Sequence, residues 1–418
     1  MAANPAGPVD RGQRIVALDV MRGVALLGIL VMNIQSFAMP GAAYINPTAY
    51  GDLTGINRWV WIAGRLFVDE KMYGLFAMLF GAGILLMAGR AEARGARPAP
   101  LHYRRMAWLM LFGLLHAHLL WSDDILWFYG VSGMVVFLFR NRSPRALIAS
   151  ALLFFTIGSA AFLSAGSLVR RLPPNQYAAF VAETWQPTPE MVRDEIATYR
   201  SGWLRQESAR NADAFSMEIG IFLLFLGWKT IANMLLGMAL FKWRAITGER
   251  PAAVYWKMMA AGFLLGLPIV GLGIWRDFAA GWDGRYSFFF GSQFNYWGAI
   301  AVDMGWIGAI VLLYKSGRVT RLAASFAALG RTAFSNYILQ TLICSAIFYG
   351  DGLALFGAVS RTGQLLIVFA IWIVQIAVAR WWVRRFAFGP LEWLWRSLTY
   401  WRPMPMRLAH SPSTAPVT

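Results

Sequence analysis

Two histidines and two aspartates lie around one turn between apolar segments. His116 and His118 end the apolar run Ala107–Trp121, and Asp123 and Asp124 follow before the chain becomes apolar again. In lipid an ionisable side chain costs roughly 2.5–3.5 kcal/mol on insertion scales, so such groups usually serve a function. A neutral imidazole beside a carboxylate is suited to general-base catalysis, because its pKa lies near working pH and the carboxylate fixes its tautomer.

Only one of the two histidines is expected to act in such a site. Residues two apart project to nearly opposite faces of a helix, so His116 and His118 cannot share one site. We take His116 as the candidate base, with Asp124 and Asp123 as candidate catalytic carboxylates. The alternative is a histidine that is hydrogen-bonded in the core. No metal site is expected, because the chain has four histidines, one cysteine and no HExxH motif.

The first apolar run carries three further polar residues. Asp19 and Arg22 are three apart on one helix face and can form an ion pair. Arg22 and Asn33 are eleven residues apart, which at 1.5 Å per residue places them on one stripe roughly 16 Å long. The stripe lines a substrate or cofactor path, or the pair is structural and fixes the helix in a bundle. Both interpretations stay open.

Charged residues also open the second apolar run. Asp69 and Glu70 are interpreted as a solvated helix start, which the helix dipole favours. Lys71 lies deeper and is expected to pair with Asp123 or Asp124, which makes it a candidate binding residue.

A late apolar run carries the remaining candidates for substrate or cofactor binding: Arg331, Asn336 and Gln340. Asn336 and Gln340 are four apart and share one helix face, and buried amides require partners. Polar packing between membrane helices is the alternative explanation.

The composition decides the class of protein that holds these residues. Of 418 residues 58% are hydrophobic and 14% charged, with mean hydropathy +0.50, whereas soluble domains are about 45–50% apolar and about 25% charged. Apolar runs near 20 residues recur, which is typical of membrane spans. We predict an all-α polytopic membrane protein with about ten transmembrane helices. They cover about Ile15–Met39, Met72–Gly89, Tyr103–Trp121, Ile125–Phe139, Arg145–Ser167, Met217–Phe241, Val254–Trp275, Asn295–Tyr314, Thr332–Tyr349 and Gln364–Phe386.

The charge pattern predicts the orientation. The net charge is +17, but arginines and lysines cluster in alternate loops, as the positive-inside rule requires of cytoplasmic segments. We therefore expect no nucleic-acid partner and both termini in the cytoplasm. The single cysteine, Cys344, excludes an intramolecular disulfide.

Three regions follow from these patterns. Residues 1–14 are expected to be a disordered tail, and 15–388 a transmembrane domain with a polar outer loop at 170–213. Residues 389–418 are expected to be a cytoplasmic interfacial helix with tryptophan anchors and a tail.

Several blocks resemble a known family. They are RIVALDVMRGVALLGILVMNIQSF (Arg14–Phe37), EKMYGLFAMLFGAGILL (Glu70–Leu86), GLLHAHLLWSDDILWFYGVSG (Gly113–Gly133), GRTAFSNYILQTLICSAIFYGDGLALFG (Gly330–Gly357) and RRFAFGPLEWLWRSLTY (Arg384–Tyr400). The chain resembles the YeiB-like family of bacterial membrane proteins (domain of unknown function 418), with a YeiB-like C-terminal portion at about 230–401. The resemblance implies a multi-pass protein of the bacterial inner membrane, in contact with the lipid bilayer. A homodimer is an open possibility.

That family is in turn distantly similar to transmembrane acyltransferases, through the LDVMRG start and the spacing of Arg22 and Asn33. The similarity implies transfer of an acyl group from cytoplasmic acyl-CoA, such as acetyl-CoA, to a small-molecule, lipid or glycan acceptor at the outer face, with no resident cofactor. The glycan O-acyltransferases carry histidine where this chain has Asn33. His116 is the substitute, chosen by chemistry and depth. Four arginines are expected to attract the anionic CoA: Arg104, Arg105, Arg244 and Arg331.

Two other functions remain open. A transporter or flippase without covalent chemistry would use the same polar stripe as a substrate path. Against it, the sequence shows no inverted halves with paired broken helices. A sensory or structural membrane protein would bind a ligand through the outer loop.

Overall fold

The computed structural model describes residues 14–408, and this part of the chain forms helices without strands. The helices are α1 Val16–Ala38, α2 Ala42–Ile45, α3 Gly55–Phe67, α4 Lys71–Ala93, α5 Pro98–Leu119, α6 Leu126–Val136, α7 Pro144–Val169, α8 Pro174–Thr184, α9 Pro189–Tyr199, α10 Trp203–Phe215, α11 Gly227–Lys242, α12 Ala252–Ala279, α13 Gly284–Tyr286, α14 Ser292–Lys315, α15 Thr320–Arg331, α16 Ala333–Phe348, α17 Arg361–Val383 and α18 Pro390–Tyr400. Wider π-helical turns occupy Ser216–Leu226 and Ser287–Gly291.

Seven stretches of the described chain are long and apolar enough to cross a membrane. They are Val16–Ala38, Gly55–Ala93, Pro144–Val169, Trp203–Lys242, Ala252–Ala279, Gly284–Lys315 and Arg361–Val383. The protein is therefore an all-helical protein of membrane-spanning type, as the composition predicts.

The three other expected spans also form helices, but of a different kind. Leu126–Phe139 and Ala333–Phe348 are apolar and short. The third, α5, begins with a polar, arginine-bearing stretch. The count of ten spans stays a prediction.

The polar segment at 170–213, expected to be a loop, contains three short helices, α8, α9 and α10. Each of the first two begins with a proline in its first turn, where the missing N–H costs no hydrogen bond. The Thr188 side chain caps α9 by accepting from Met191 N. The segment is folded against the bundle, since Trp203 Nε1 donates to the Leu119 carbonyl at 2.6 Å.

The centre of the bundle is built on close helix contacts. Helix α1 packs on α15 where Gly23 meets the Phe326 backbone, and α4 crosses α11 where Gly81 meets the Met234 backbone. A Cβ at either glycine would overlap the facing main chain. Small residues allow such approach in membrane bundles.

Both ends of the described chain lie on one side of the bundle. Arg14 and Tyr400 line the same cavity, together with arginines of the α4–α5 connection. We call this side the basic end and the other side the opposite end. The common location of the two chain ends agrees with the predicted topology. Which side faces the cytoplasm remains a prediction from the charge pattern.

The two predicted terminal segments are described only in part. Residues 1–13 and 409–418 lie outside the described range, and the predicted disordered tail 1–14 therefore lies outside it except for Arg14. The predicted interfacial helix corresponds to α18, which starts with Pro390 after Gly389.

Candidate functional site

His116 and Asp124 form a buried pair at the opposite end of the bundle. His116 Nδ1 lies 2.7 Å from Asp124 Oδ1, and His116 Nε2 lies 2.9 Å from the Thr341 hydroxyl on α16. His116 is 2% exposed and Asp124 3% exposed. An aspartate on one imidazole nitrogen and a hydroxyl on the other is the arrangement in which a carboxylate orients a base.

The local sequence explains how a turn brings this pair together. Helix α5 ends at Leu119, and α6 begins at Leu126. Asp124 accepts from Trp127 N at 2.9 Å through Oδ2, so one carboxylate oxygen caps α6 while the other reaches His116. Gly113 makes room for this turn, because a Cβ there would lie 2.8 Å from Asp124 Oδ2 and would overlap Trp127 N.

Tyr337 connects this pair to a cavity. Its ring lies 5.3 Å from the His116 ring between centroids, and its hydroxyl lies 3.5 Å from Asp124 Oδ1. The same tyrosine forms part of the cavity wall, together with Tyr129 and Ile125. His116 and Asp124 therefore lie directly behind the blind end of the cavity, with Tyr337 as the side chain between them.

The cavity opens at the basic end and has a volume of about 450 Å³. Its wall is formed by α1, α4, α5, α6, α15, α16 and α18. Of the described residues, two acidic and nine arginine side chains line it: Asp19, Glu392, Arg14, Arg22, Arg90, Arg94, Arg97, Arg104, Arg105, Arg331 and Arg396. This excess of positive charge suits a ligand with several negative charges, because arginine binds phosphate and carboxylate groups bidentately.

The two acidic groups of the wall are already engaged. Arg22 donates to Asp19 at 3.1 Å, which is the pairing that their spacing predicts. Glu392 on α18 accepts from Phe334 N at 2.7 Å and from the Ser335 hydroxyl at 2.5 Å. These contacts join α18 to the start of α16 and close one wall of the cavity.

Helix α18 is also held to α5. Trp395 Nε1 donates to the Arg105 carbonyl at 2.9 Å, and the Arg105 guanidinium lies 4.3 Å from the Trp395 ring centroid. A cation over an indole face is attracted by the ring quadrupole. The C-terminal helix is therefore part of the site.

Asp123 takes a different partner from Asp124. Its carboxylate accepts from the Ser36 hydroxyl on α1. It lies in the turn outside the helices, and burial raises its pKa to about 6 despite the Ser36 hydrogen bond. The structure thus does not bring Asp123 to His116.

His118 faces away from His116, as the two-residue spacing predicts. Its Nδ1 lies 2.8 Å from Asn211 Oδ1, and its Nε2 lies 3.4 Å from Glu218. These partners belong to the α10 region, so His118 fixes the outer helices to α5.

The expectation for Lys71 is wrong. Its ammonium donates to the Arg65 carbonyl at 2.6 Å and to Asn295 Oδ1, and neither Asp123 nor Asp124 is its partner. Lys71 is fully buried. The cause is depth: α4 begins inside the bundle next to α14, away from the α5–α6 turn.

Asp69 and Glu70 are also not a solvated helix start. Asp69 accepts from Arg65, and Glu70 accepts from Lys229 on α11. Glu70 has a left-handed backbone with φ 65°. The start of α4 is therefore tied into a cluster of charges within the bundle.

Asn336 and Gln340 lie in a ladder of amides between α16 and α17. Gln375 Nε2 donates to the Asn336 carbonyl at 2.9 Å, and Gln340 Nε2 donates to Gln375 Oε1 at 3.0 Å. Neither Asn336 nor Gln340 lines the cavity. The contacts favour the alternative of polar packing between helices.

Two other candidates, Asn33 and Arg244, lie outside the arginine-lined cavity. Asn33 is half-buried on α1 and does not line the cavity. Arg244 lines a second cavity of about 460 Å³ with Arg140 and Lys242. The expectation that Arg244 joins Arg104, Arg105 and Arg331 is wrong, whereas those three do share the first cavity.

Sequence reasoning missed the residues that complete the site. Thr341, Tyr129 and Glu392 were not singled out, because nothing in their spacing indicates a partner more than 50 residues away. From the sequence, Arg90, Arg94, Arg97 and Arg396 serve only as evidence for the membrane topology, not as candidates for ligand binding. Within residues 14–408 no group of three or more His, Cys, Asp or Glu side chains is placed to hold a metal ion.

Comparisons with known proteins identify the family. Residues 240–402 match the model of a protein of unknown function (DUF418). The uncharacterized protein YeiB of Escherichia coli (strain K12) is 31% identical over 395 residues, 93% of this chain and 96% of YeiB. The chain belongs to the DUF418 family. This membership confirms the resemblance that the sequence blocks indicated.

Two further proteins are similar along nearly the whole chain. The uncharacterized protein YxaH of Bacillus subtilis (strain 168) is 30% identical over 416 residues, 95% of this chain and 97% of YxaH. An uncharacterized 39.9 kDa protein of Bacillus acidopullulyticus is 25% identical over 407 residues, 96% of this chain and 98% of that protein. The similarity therefore extends well beyond residues 240–402 and includes the α5–α6 turn.

Proposed function

We propose that this protein is a membrane acyltransferase that takes an acyl group from an acyl-CoA held in the arginine-lined cavity. The observation that carries the proposal is the continuity of two features. A cavity with nine arginines among its described wall residues ends at Tyr337, and Tyr337 lies against the His116–Asp124 pair.

The chemistry of the wall fits such a donor. An acyl-CoA carries several phosphate charges at one end and an acyl thioester at the end of a narrow, mostly uncharged arm. The arginines cluster at the basic end, while the blind end is lined by apolar and aromatic side chains such as Leu109, Leu126 and Tyr129. In the predicted orientation the mouth faces the cytoplasm, where acyl-CoA is found. The Asp19–Arg22 pair lies beside the path of the arm.

His116 is the proposed base. Asp124 on Nδ1 favours the tautomer with the proton on Nδ1, so the lone pair is on Nε2. Nε2 now accepts from the Thr341 hydroxyl, which holds the imidazole in place until an acceptor replaces it. Asp124 then stabilises the imidazolium that forms.

The acceptor hydroxyl or amine gives its proton to His116 Nε2, and its lone pair attacks the thioester carbonyl carbon. The carbon–sulfur bond breaks, the sulfur leaves with the electron pair, and it takes the proton back from the imidazolium. The products are the acylated acceptor, a small molecule, lipid or glycan, and free CoA thiol.

Tyr337 has to turn aside for the thioester to reach His116. Its ring forms the wall between cavity and imidazole, and its hydroxyl contact to Asp124 at 3.5 Å is at the long limit of a hydrogen bond.

The proposal is tested by following both halves of radiolabelled acetyl-CoA in proteoliposomes made with total bacterial lipid. The expected result is equal release of CoA thiol and labelled acetyl acceptor, lost in His116→Gln and kept in Arg318→Gln, an exposed arginine outside both cavities. Accumulation of intact label inside the vesicles without thiol release would instead establish a transporter.

A further inference from the structure

A second group of ionisable side chains lies in the interior of the bundle, away from His116. It is formed where the end of α3 and the start of α4 meet α11 and α14, and we call it the buried charge cluster: Arg65, Asp69, Glu70, Lys71, Lys229 and Asp303. Charged residues inside a membrane bundle usually pair with one another, and they mark ion and proton pathways. The His116 chemistry does not use them.

Most members of the cluster have a partner. Lys229 donates to Glu70 and also lies 4.8 Å from the Tyr296 ring centroid. Asn295 donates from Nδ2 to the other Glu70 oxygen at 2.8 Å. The Oδ1 atom of the same amide accepts from Lys71. The two lysines and Glu70 are thus joined through direct hydrogen bonds and one shared amide.

Asp303 is the exception. It lies halfway along the membrane-spanning helix α14 and is 1% exposed. Within residues 14–408 its Oδ1 has no hydrogen-bond partner. A buried carboxylate oxygen without a donor is costly, and a proton on the carboxyl group removes that cost.

Asn233 on α11 is an independent second observation. It is 1% exposed, and neither its Nδ2 nor its Oδ1 has a partner among the described residues. Asn233 and Asp303 point into the same space over Gly74 of α4. A Cβ on Gly74 would overlap Asp303 Oδ2 and would lie 3.6 Å from Asn233 Nδ2. An amide offers a donor to a carboxylate and an acceptor to a carboxylic acid, so it serves both forms.

The charged groups around Asp303 are compatible with both its carboxylate and its carboxylic acid form. Lys229 and Lys71 attract its charged form, and Glu70 repels it. Helix α12 contacts the α14 segment around Asp303 through Gly262 and Gly266, which carry no charge. The hydrogen bonds of the two lysines go elsewhere, so neither neutralises Asp303 as a fixed ion pair.

Tyr129 provides a connection to the outside. It lines the arginine-lined cavity, and its hydroxyl donates to the Tyr73 carbonyl at 3.2 Å, next in the chain to Gly74, against which Asp303 Oδ2 lies. A proton from water in the cavity therefore has a hydroxyl-bearing side chain between the wall and the cluster.

We propose that Asp303, with Asn233 as its neighbour, is a proton-binding site in the membrane interior that exchanges with the arginine-lined cavity past Tyr129. The ligand is a proton delivered by water. The backbone of Glu70 supports a functional site, since a left-handed non-glycine residue is kept only where the surroundings impose it.

The test is infrared spectroscopy of the whole protein in lipid, titrated with pH and compared with Asp303→Asn. A protonated carboxylic acid has a carbonyl band that a carboxylate lacks. We expect the difference between the wild-type and Asp303→Asn spectra to contain such a band at acidic pH, and we expect this band to disappear reversibly at alkaline pH. Asp194→Asn, which removes an exposed carboxyl group outside the cluster and outside both cavities, should leave this titration unchanged.

Every outcome decides the proposal. The same spectrum in wild type and Asp303→Asn at every pH would show a permanently charged Asp303 and overturn it. A band that persists at alkaline pH would show a fixed hydrogen-bond donor and also overturn it. If Asp303→Asn does not fold, Asn233→Leu keeps the carboxyl group, and the loss of the amide should move the midpoint of the band; an unmoved midpoint would remove Asn233 from the site.

Discussion

Tyr337 and His116 lie with their ring centroids 5.3 Å apart, and the tyrosine also lines the arginine-lined cavity. This relationship joins a place for an anionic ligand to a place for proton transfer. Neither feature by itself indicates a reaction, because basic cavities also serve transporters and buried histidines are often structural.

The His116–Asp124 pair gives the first prediction. His116→Gln and Asp124→Asn should each reduce acyl transfer by about 10²- to 10⁴-fold, the range of a general base. Binding of acyl-CoA should stay near wild type, because neither residue lines the cavity. The check is the rate of thiol release at saturating acetyl-CoA. Full activity in His116→Gln would remove the base from the mechanism.

The close approach of α5 to the α5–α6 turn gives the second prediction. Gly113→Ala would push its methyl group into Trp127 N and Asp124 and should lower the stability by about 1–3 kcal/mol, as overpacking does. Gly89→Ala is the matched control in a helix: its Cβ would meet nothing within 4 Å, and the change should stabilise by roughly 0.5–1 kcal/mol. Thermal unfolding in detergent measures both. Equal melting temperatures for the two variants would contradict the geometry.

The third prediction concerns pH and Asp123. Burial raises its pKa from 3.8 to about 6 in the folded protein, so the folded state holds the proton more tightly than the unfolded state. The free energy of unfolding should therefore fall as the pH rises through this window. Asp123→Asn should lose this pH dependence of the stability. The measurement is the melting temperature of both proteins as a function of pH, and the difference between the two curves gives the contribution of Asp123. Parallel curves for the two proteins would contradict a raised pKa of Asp123 in the folded state.

The fourth prediction tests α18 as a wall of the cavity. Glu392→Ala leaves Phe334 N without its acceptor and removes the acceptor of the Ser335 hydroxyl, whose oxygen still accepts from Leu391 N of α18. Loss of the Glu392 hydrogen bonds should lower the free energy of unfolding by about 1–3 kcal/mol. It should also weaken acyl-CoA binding, because α18 carries Trp395 and Arg396 of the cavity wall. Leu394→Ala, on α18 but outside the lining, is the control. Unchanged binding in Glu392→Ala would separate α18 from the site.

The sequence predicts local relationships well. The positions of the long helices follow from apolar runs, because lipid requires every backbone group to be paired within the segment. The His116–Asp124 pair is predictable because its members are eight residues apart across one turn. The Asp19–Arg22 pair follows from helix periodicity.

Long-range partners were beyond the same reasoning. Thr341 is 225 residues from His116, and Asn295 is 224 residues from Lys71. No periodicity decides which helices are neighbours at such separations. Expected depth alone therefore pairs Lys71 with Asp123 or Asp124, whereas the start of α4 lies next to α14 and Lys71 bonds Asn295.

The measurement that tests the central claim most directly is isothermal titration of acetyl-CoA into the detergent-purified protein. The account predicts saturable binding that Arg331→Gln weakens by roughly tenfold or more, the effect of one charged hydrogen bond worth about 1.5–3 kcal/mol. His116→Gln and Arg318→Gln should bind as wild type does. No heat of binding from wild type, or equal affinity in Arg331→Gln, would contradict the account.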